Sequence, residues 1–400
     1  MTFNPRVLEL AGEADAAREL KEIGADTAGI GIMRAKAVFR AVKAHGVDTR
    51  AANILKQEML ARGGDVAVAR DVITLKDAET DVIILGTDKQ FALLIEKLKA
   101  QPFGLKILRE EIQAALISYD GRPDNIVWDG HNLPVSARTC LMGVLNVTPD
   151  SFSDGGQFGD PEVAIAQGFR MAEDGADIID VGGESTRPGA DSVPEKEEIG
   201  RVVPVIKALS AKLDIPISID TYKSGVARAA LDAGASMIND ISGMTFDSAM
   251  APLAAKAKVP VALMHIKGTP KDMQADPVYD SMMSEISGYL RDKAQDAIGA
   301  GIAPNKIIID PGIGFGKTVE HNLEIIRRVR EFKSLGHPVL IGPSRKSFIG
   351  KILGLEPDQR LEGTAAAVAA CVAGGASIVR VHDVKEMARV ARVADAVFKV

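Results

Sequence analysis

The chain has 400 residues, of which 46% are hydrophobic, 26% charged and 4% aromatic. This composition is typical of a globular α/β enzyme and excludes a disordered or fibrous chain. Lys and Arg total 48 against 54 Asp and Glu, a formal net charge of −6, so no general attraction to nucleic acid or anionic membranes is expected. The length allows one large domain and a smaller one.

Targeting and redox features predict a soluble cytoplasmic protein. The first residues include acidic side chains and lack the basic flank and apolar run of a signal peptide. No apolar run approaches the length of about 20 residues that spans a bilayer. Only Cys140 and Cys371 are present, far apart in the chain, so neither a disulfide framework nor a thiolate metal site is indicated.

The first 118 residues mix helical periods with short strand-like runs, which predicts a small α/β domain of unknown role. Helices are predicted over residues 13–23, 35–45, 51–62, 91–99 and 106–116, and strands over 65–69 and 81–85. Residues 119–137 are rich in Gly, Pro, Asn and Asp, which are turn formers, and we predict that they form a linker. Residues 138–400 then form the larger domain.

From Thr139 onward the chain repeats one unit, a short apolar run followed by a polar loop and a helical pattern, eight times. Continuous apolar strands that alternate with helices are typical of a parallel sheet covered by helices. Eight units in roughly 260 residues match a closed barrel. We therefore predict a (β/α)8 TIM barrel preceded by a smaller α/β domain, with an open doubly wound sheet as the alternative. The predicted strands are 140–147, 177–181, 216–220, 236–240, 260–265, 306–310, 338–342 and 377–381.

Polar residues follow every predicted strand, at the end where such barrels place their active sites. Four of these residues suit phosphate oxygens because they are hydrogen-bond donors: Arg187, Lys346, Arg380 and His382. Three others could accept N–H groups: Asp220, Asn239 and Asp310. The pattern predicts a ligand with an anionic group at one end and a donor-rich heterocycle at the other.

Two loops at this face, 146–156 and 182–189, are polar and rich in small residues, so they could close over a substrate. The alternative is that both are surface turns. For Asp150, Asp154 and Glu184 we leave open whether they contact a metal. We interpret residues 194–198 as the charged start of a helix without a site function, and His265 as a hydrogen-bonded residue at a strand end. Residues 312–317 lack the Ser or Thr that follows Lys in a P-loop.

These segments together resemble the dihydropteroate synthase family of pterin-binding barrel enzymes, over residues 139–393. Any one of the motifs would be weak, but eight in order at eight strand ends are specific. The motifs are MGVLNVTPDSFSDGG, IIDVGGESTRPG, ISIDT, MINDISG, MHIKGTP, IIDPGIGFGK, SRKSFIG and RVHD.

The resemblance implies condensation of p-aminobenzoate with 6-hydroxymethyl-7,8-dihydropterin diphosphate, giving 7,8-dihydropteroate and diphosphate with help from Mg²⁺. Asn146 would ligate the Mg²⁺, since its side-chain oxygen is a hard ligand. The diphosphate would contact Asn146, Arg187, Arg380 and His382.

The same resemblance assigns the remaining pockets. The pterin would be bound by Asp220, Asn239, Met264, Asp310 and Lys346. The p-aminobenzoate pocket would be lined by Thr186, Arg187, Phe315, Ser344 and Lys346. The residues expected to act in catalysis are Asp310, Lys346, Arg380 and His382.

The chemistry of this reaction agrees with these residue types. If the C–O bond to diphosphate breaks early, positive charge develops on the pterin methylene, and a fixed carboxylate such as Asp310 stabilises it. The amine of p-aminobenzoate is already a nucleophile, so positioning matters more than a strong base.

Two alternatives remain at this point. Methyltetrahydrofolate-dependent methyltransferases also bind a pterin through strand-end Asp and Asn residues, but they need a corrinoid partner and no diphosphate. A catalytically silent pterin-binding or assembly protein is the other, because the first 135 or so residues are additional to the barrel. Apolar outer faces on barrel helices favour a homodimer.

Overall fold

A computed structural model describes residues 3–148, 161–187 and 189–398. The chain forms two compact units, Met1–Asp120 and Gly121–Val400. The sequence-based boundaries of 118 and 138 differ from this division because the intervening residues are structured, as described below.

The first unit is a three-stranded antiparallel sheet with helices against one face. Its strands are β1 (Phe39–Asp48), β2 (Asp65–Val68) and β3 (Glu79–Thr87), in the order β1-β3-β2. Its helices are α1 (Glu13–Glu22), α2 (Thr27–Ala37), α3 (Thr49–Leu60), α4 (Asp88–Leu98) and α5 (Leu105–Asp120). The core joins Ile84 of the sheet to Leu55 and Met59 of α3 and to Phe91 and Leu94 of α4.

The helix predicted over 35–45 is wrong, because α2 ends at Ala37 and β1 begins at Phe39. Ala, Lys and Arg favour a helix in isolation. In the structure β1 pairs with β3 along its length, and its partly buried residues Val42 and Ala44 pack against the core of this unit. Burial on a two-residue period therefore overrides local helix propensity.

Residues assigned to a linker from the sequence instead include a β-hairpin, with strands β4 (Ile126–Trp128) and β5 (His131–Leu133). Its side chains Ile126, Trp128 and Leu133 belong to one cluster with residues of the barrel strands, among them Met142 and Ile378. The Trp128 indole also donates to the backbone oxygen of Ser236 at 2.8 Å. The hairpin is thus part of the barrel unit.

All eight predicted barrel strands are confirmed. They are β6 (Cys140–Asn146), β7 (Ile178–Gly182), β8 (Ile217–Asp220), β9 (Met237–Asp240), β10 (Val261–Met264), β11 (Ile307–Asp310), β12 (Leu340–Ile341) and β13 (Ile378–Val381). They pair in parallel in the order β11-β10-β9-β8-β7-β6-β13-β12, and a parallel bridge between Ile309 and Val339 joins the two end strands. The barrel is therefore closed, which excludes the open sheet.

Helices surround this barrel and cover its outer face. They are α6 (Pro161–Glu173), α7 (Glu195–Ser210), α8 (Ser224–Asp232), α9 (Met250–Ala257), α10 (Met282–Gly299), α11 (Val319–Arg327), α12 (Val329–Phe332), α13 (Ser347–Leu353), α14 (Leu361–Ala373) and α15 (Val384–Phe398). The main apolar core lies between these helices and the strands. The (β/α)8 prediction and the helix start at residues 194–198 are both confirmed.

Both cysteines are buried, and no disulfide bond joins them. Among the described residues, no helix has the length and apolar character needed to cross a membrane.

Candidate active site

Strand register brings the predicted acceptor residues together at the carboxyl end of the barrel. Asp220 ends β8 and is the Cα partner of Asn239 on β9. Met264 ends β10 and is the partner of Asp310 on β11. Because neighbouring parallel strands end at the same edge, these four residues share one face of the molecule.

Arg380 on β13 is the centre of a buried hydrogen-bond network. Its Nε donates to Oδ2 of Asp180 and its Nη2 to Oδ2 of Asp220, both at 2.6 Å. The side-chain amide of Asn239 donates to the same Asp180 oxygen at 2.9 Å. The network therefore fixes a residue predicted for diphosphate binding against two residues predicted for pterin binding.

Asp180 has no predicted role, although the structure shows it fully buried between Arg380 and Asn239. The sequence does contain a signal for this residue, because Asp180 is an acidic residue inside an otherwise apolar strand. A buried carboxylate is stable only when it is paired or hydrogen-bonded. The second oxygens of Asp180 and Asp220 are also buried, and neither has a hydrogen-bond partner within the described residues. Unpartnered buried acceptors of this kind can receive N–H groups from a ligand.

Burial shifts the charge states of the two predicted pterin carboxylates. It raises the pKa of Asp220 to about 7, although the Arg380 charge opposes this change. It also raises the pKa of Asp310 to about 6, against the hydrogen bond from the Gly312 amide and the charge of Lys346. The Gly312 N–H to Asp310 Oδ1 distance is 2.7 Å, and Asp310 is mostly ionised at neutral pH.

Glycines shape the loop that follows Asp310. Gly312 and Gly316 have φ angles of +73° and +62°, which side-chain-bearing residues rarely adopt. A Cβ atom on Gly312 would lie 2.0 Å from the backbone oxygen of His265, and one on Gly316 would lie 2.6 Å from that of Lys267. The loop therefore packs directly on the residues that follow β10, and this packing positions Phe315.

Lys346 lies over the ring of Phe315, with its Nζ 4.2 Å from the ring centroid. Burial lowers the pKa of Lys346 to about 8, and the positive charge of Arg380 acts in the same direction while Asp310 and Asp220 oppose it. Lys346 therefore lies among the predicted pterin carboxylates, as a cation near neutral pH.

An apolar surface borders this charged group. Met264 and Phe315 are both nearly buried and belong to one small cluster with Ile241, Ile266 and Met273. Aromatic and thioether side chains can pack on the face of a flat heterocycle. The structure thus brings the predicted ring-packing residue Met264 beside Phe315, which was predicted to line the p-aminobenzoate pocket.

The loops after β12 and β13 are joined by two side-chain contacts. The Ser344 hydroxyl lies 3.0 Å from Nδ1 of His382 and accepts the His382 backbone N–H at 3.2 Å. Next to them, Arg345 forms a two-pronged ion pair with Asp383 that had no predicted role. Burial, together with the Arg380 charge, lowers the pKa of His382 to about 3, so His382 is a neutral donor and not a cation.

The remaining predicted residues lie at the ends of β6 and β7. A Cβ atom on Gly182 would be 3.8 Å from Oδ1 of Asn146 and 3.5 Å from Cβ of Asp220, so both side chains flank this glycine. Thr186 is partly buried and Arg187 is exposed, and the Arg187 charge contributes to the lowered pKa of Lys346. The segment 149–160, which includes Asp150 and Asp154, and Pro188 lie outside the described residues.

Behind the site, Lys317 and His265 form a buried pair. The Lys317 ammonium lies 3.0 Å from Nδ1 of His265 and donates to the backbone oxygen of Phe315 at 2.9 Å. Burial lowers the pKa of Lys317 to about 7 and that of His265 to about 2. His265 is thus the hydrogen-bonded strand-end residue that the sequence predicts.

A cavity of about 280 Å³ adjoins the Phe315 loop and the start of α13. Its lining includes Lys317, Thr318, Ser347, Phe348 and Lys351. Thr318 caps α11 by accepting the His321 amide, so a helix N-terminus also faces this space. Within the described ranges, no group of three or more His, Cys, Asp or Glu side chains is arranged to hold a metal ion.

Comparison with known proteins identifies a family for the barrel. The family model described as "Pterin binding enzyme" matches residues 142–382. A dihydropteroate synthase of Synechocystis is 52% identical over 263 residues, which cover 66% of this chain and 91% of that protein. The solved structure of Xanthomonas albilineans dihydropteroate synthase with 4-aminobenzoic acid is 43% identical with a TM-score of 0.65, covering 70% of this chain and 99% of that one.

One relative extends across the first unit as well. A probable bifunctional folylpolyglutamate synthase/dihydropteroate synthase of Halobacterium salinarum is 42% identical over 383 residues, which cover 96% of this chain. The chain spans about half of that relative's length, 46%. The first unit therefore has a counterpart in this larger relative, whereas the Synechocystis match covers a length close to that of the barrel alone.

Proposed function

Given that this chain belongs to the pterin-binding enzyme family, as a dihydropteroate synthase, we propose how its strand-end residues divide the work. The reaction condenses p-aminobenzoate with 6-hydroxymethyl-7,8-dihydropterin diphosphate to give 7,8-dihydropteroate and diphosphate. The observation that carries our assignment is the network in which Arg380 bridges Asp180 and Asp220.

We assign the pterin ring to Asp220, Asn239, Asp310, Lys346 and Met264. The two carboxylates and the amide offer acceptors for ring N–H groups, and the unpartnered oxygen of Asp220 supports this role. Met264 lies beside these groups and is apolar, so it suits the ring face. Direct hydrogen bonds with buried charged partners give both affinity and orientation.

We assign the diphosphate to Asn146, Arg187, Arg380 and His382. Arg187 makes no ion pair with the described residues, so its guanidinium is available to phosphate oxygens. His382 is neutral and can donate one N–H, while Arg380 supplies a fixed positive charge. Arg187 and Lys346 lie close enough to interact electrostatically, which favours a bound anion between them.

We propose that Mg²⁺ accompanies the diphosphate and is held on the protein side by Asn146. The amide oxygen of Asn146 suits this ion, because it is a hard ligand that lies beside Gly182 at the carboxyl end of the barrel. When bound, the ion neutralises charge on the departing diphosphate.

We assign p-aminobenzoate to Thr186, Arg187, Phe315, Ser344 and Lys346. Phe315 offers an aromatic face, and Ser344 and Lys346 offer donors to a carboxylate. The Nζ of Lys346 lies 4.2 Å from the centroid of the Phe315 ring, so a ring packed on Phe315 would have this donor beside it.

In the reaction the C–O bond to diphosphate breaks, a C–N bond to the amine forms, and the proton that the amine loses passes to the released diphosphate or to water. Asp310 is mostly ionised at neutral pH, so it stabilises positive charge that develops on the pterin methylene. Lys346, Arg380 and His382 stabilise the charge that accumulates on the leaving group. The barrel holds both reactants in line, and no covalent intermediate with the protein is needed.

A direct assay tests this assignment. Purified full-length protein is incubated with Mg²⁺, the pterin diphosphate and radiolabelled p-aminobenzoate, and 7,8-dihydropteroate is expected. Chelation of Mg²⁺ with EDTA should abolish turnover, and added Mg²⁺ should restore it. Methyl transfer from methyltetrahydrofolate to a corrinoid, without synthase product, would support the methyltransferase alternative. Binding of the pterin without turnover would support the silent alternative.

We also propose a cytoplasmic homodimer. No disulfide joins the two buried cysteines, which suits a reducing compartment. On α15, Val393 and Val397 lie four residues apart on one helix face and are 67% and 59% exposed, which favours a self-complementary contact. Analytical ultracentrifugation of the full chain measures the mass, and a monomer at micromolar concentration would contradict the dimer.

A further inference from the structure

The segment that carries Thr186 and Arg187 rests on a buried ion cluster of Glu184, Glu198 and Lys223. Their side chains are 7%, 1% and 15% exposed. The Lys223 ammonium lies 2.5 Å from Oε2 of Glu184 and 2.6 Å from Oε2 of Glu198. Glu198 belongs to the helix start that showed no site function in the sequence, yet its side chain is buried in this cluster.

Every N–H of the Lys223 ammonium has a partner in this cluster. The third acceptor is the backbone oxygen of Val193, at 2.6 Å. Glu184 is equally saturated, because its Oε1 accepts the Tyr222 hydroxyl at 2.7 Å and its Oε2 also accepts the Val193 N–H at 2.8 Å. Because Lys223 and Glu184 have all their hydrogen-bonding atoms paired, these buried contacts hold the two side chains in one geometry.

One ammonium therefore ties together both ends of the segment. Glu184 and Val193 are nine residues apart, and Lys223 contacts each of them. Lys223 follows Asp220 by three residues, so the same contact connects the segment to the strand end that carries a predicted pterin carboxylate. Ordering a loop costs conformational entropy. Because Lys223 holds both Glu184 and Val193, the loop between them has fewer conformations to lose when a ligand binds.

Other contacts of the segment are local or lie at its surface, among them the Arg187 N–H to the Ser185 hydroxyl at 3.5 Å and the Ala190 N–H to the Arg187 backbone oxygen at 3.1 Å. Arg201 donates to the backbone oxygen of Gly183 at 2.7 Å, and the Gly189 N–H donates to that of Pro270 at 3.0 Å. An outer ion pair of Lys271 and Asp191 is 75% and 88% exposed, and such exposed pairs contribute little. The direction of the Arg187 side chain therefore depends on backbone that the cluster holds at both ends.

We propose that Lys223, together with Glu184, is a positioning residue that holds Arg187 where it meets the diphosphate. The proposal rests on the assignment of Arg187 to the diphosphate given above. Removing the ammonium leaves two buried carboxylates without their shared partner, which is strongly unfavourable, so the segment moves to separate them. Arg187 then loses its position while the pterin residues, held by Arg380, keep theirs.

Calorimetric titration of the full-length protein with two ligands tests this proposal. The ligands are 6-hydroxymethyl-7,8-dihydropterin and its diphosphate with Mg²⁺. Lys223→Met should weaken binding of the diphosphate by at least about tenfold, since a charged hydrogen bond is lost, and leave binding of the unphosphorylated pterin unchanged. Lys223→Arg should restore part of the loss. Lys271→Met is the matched control, because Lys271 pairs with Asp191 of the same segment in an exposed contact, and it should change neither affinity.

Comparison with Arg187→Ala separates this proposal from the assignment on which it rests. If Arg187→Ala alone leaves diphosphate binding intact, the assignment of Arg187 fails. If Arg187→Ala weakens binding and Lys223→Met does not, or Lys223→Met weakens both ligands equally, the positioning role is overturned. The double variant Lys223→Met/Arg187→Ala should bind the diphosphate no more weakly than Arg187→Ala alone, because both changes remove the same interaction. Should Lys223→Met not fold by circular dichroism, Glu184→Gln replaces it under the same criteria.

Discussion

Burial controls the acid–base behaviour of the side chains at the strand ends. It raises the pKa of Asp310 to about 6 and of Asp220 to about 7, and it lowers the pKa of Lys346 to about 8. Between roughly pH 7 and pH 8 the carboxylates are mainly ionised while Lys346 remains mainly charged. The proposed charge arrangement therefore exists only in a narrow pH range.

Affinity for the pterin ring should fall at acid pH. Asp310 has a raised pKa, so it becomes protonated as the pH falls through about 6, and a protonated carboxyl no longer accepts ring N–H groups as a charged partner. Below that pH the contribution of Asp310 should raise the dissociation constant about tenfold per pH unit. Titration with 6-hydroxymethyl-7,8-dihydropterin avoids ionisation of the diphosphate.

The variant Asp310→Asn provides the control for this pH dependence. This variant should bind the pterin ring weakly at every pH. The rise of its dissociation constant at acid pH should be smaller, because the part due to Asp310 is absent. An unchanged rise at acid pH in this variant would assign the titration to another group, of which Asp220 is the nearest in pKa.

Replacement of Lys346 should separate activity from stability. Lys346→Met removes a charge proposed to stabilise the leaving diphosphate, so kcat should fall about 100-fold or more. Because burial disfavours the ammonium, the free energy of unfolding should stay equal or increase. The exposed Lys385→Met, on α15, should change neither quantity. Urea denaturation and steady-state kinetics measure both, and a less stable variant would contradict this explanation.

At the scale of elements, the hairpin of β4 and β5 belongs to the barrel unit, whereas the sequence pattern predicts a linker there. Its turn-forming residues are genuine, since Asp129 and Gly130 between the two strands both have positive φ angles. Its strands have only three residues each, too few for a periodic pattern to stand out. Packing of Trp128 and Leu133 against residues of the barrel strands then decides the outcome.

Trp128→Ala should destabilise the barrel without changing its chemistry. The indole is buried and donates to Ser236, so its loss should lower the free energy of unfolding by about 3–5 kcal/mol. Val127→Ala, on the exposed side of the same strand, is the control and should cost little. Denaturation followed by circular dichroism measures the change, and kcat of the folded variant should remain that of the parent. A loss of less than about 1 kcal/mol would contradict the packing role.

At the scale of the molecule, the proposed site lies within one of the two units. Every residue proposed for the site belongs to the second unit, Gly121–Val400. The Synechocystis relative matches 263 residues of this chain over 91% of its own length. That relative is therefore close in size to the barrel unit alone. The first unit has its own core and sheet.

Deletion of the first unit should preserve activity. A protein that begins at Gly121 keeps the hairpin and the barrel, so kcat/KM should stay within about threefold of the full chain, as expected for a separate domain. Solution mass of both forms tests whether the first unit contributes to the proposed dimer. A fall in kcat/KM of more than about tenfold, with the barrel folded by circular dichroism, would give the first unit a catalytic role.

Sequence alone was enough for the eight strands, the closed-barrel class and the polar residues at the strand ends, because each depends on local pattern. Apolar runs of four to six residues specify buried parallel strands wherever they occur. Strand β1 and the hairpin were not predicted, since their burial depends on partners elsewhere in the chain.

The tertiary structure decided which of these side chains act together. Arg380 reaches Asp180 and Asp220 across 200 and 160 residues of sequence, and no local pattern specifies such a pair. The same holds for Lys223, whose partner Glu198 is 25 residues away in a run that the sequence presents as surface charge. Charge states, too, follow from burial and neighbours, and both exist only once the barrel has closed.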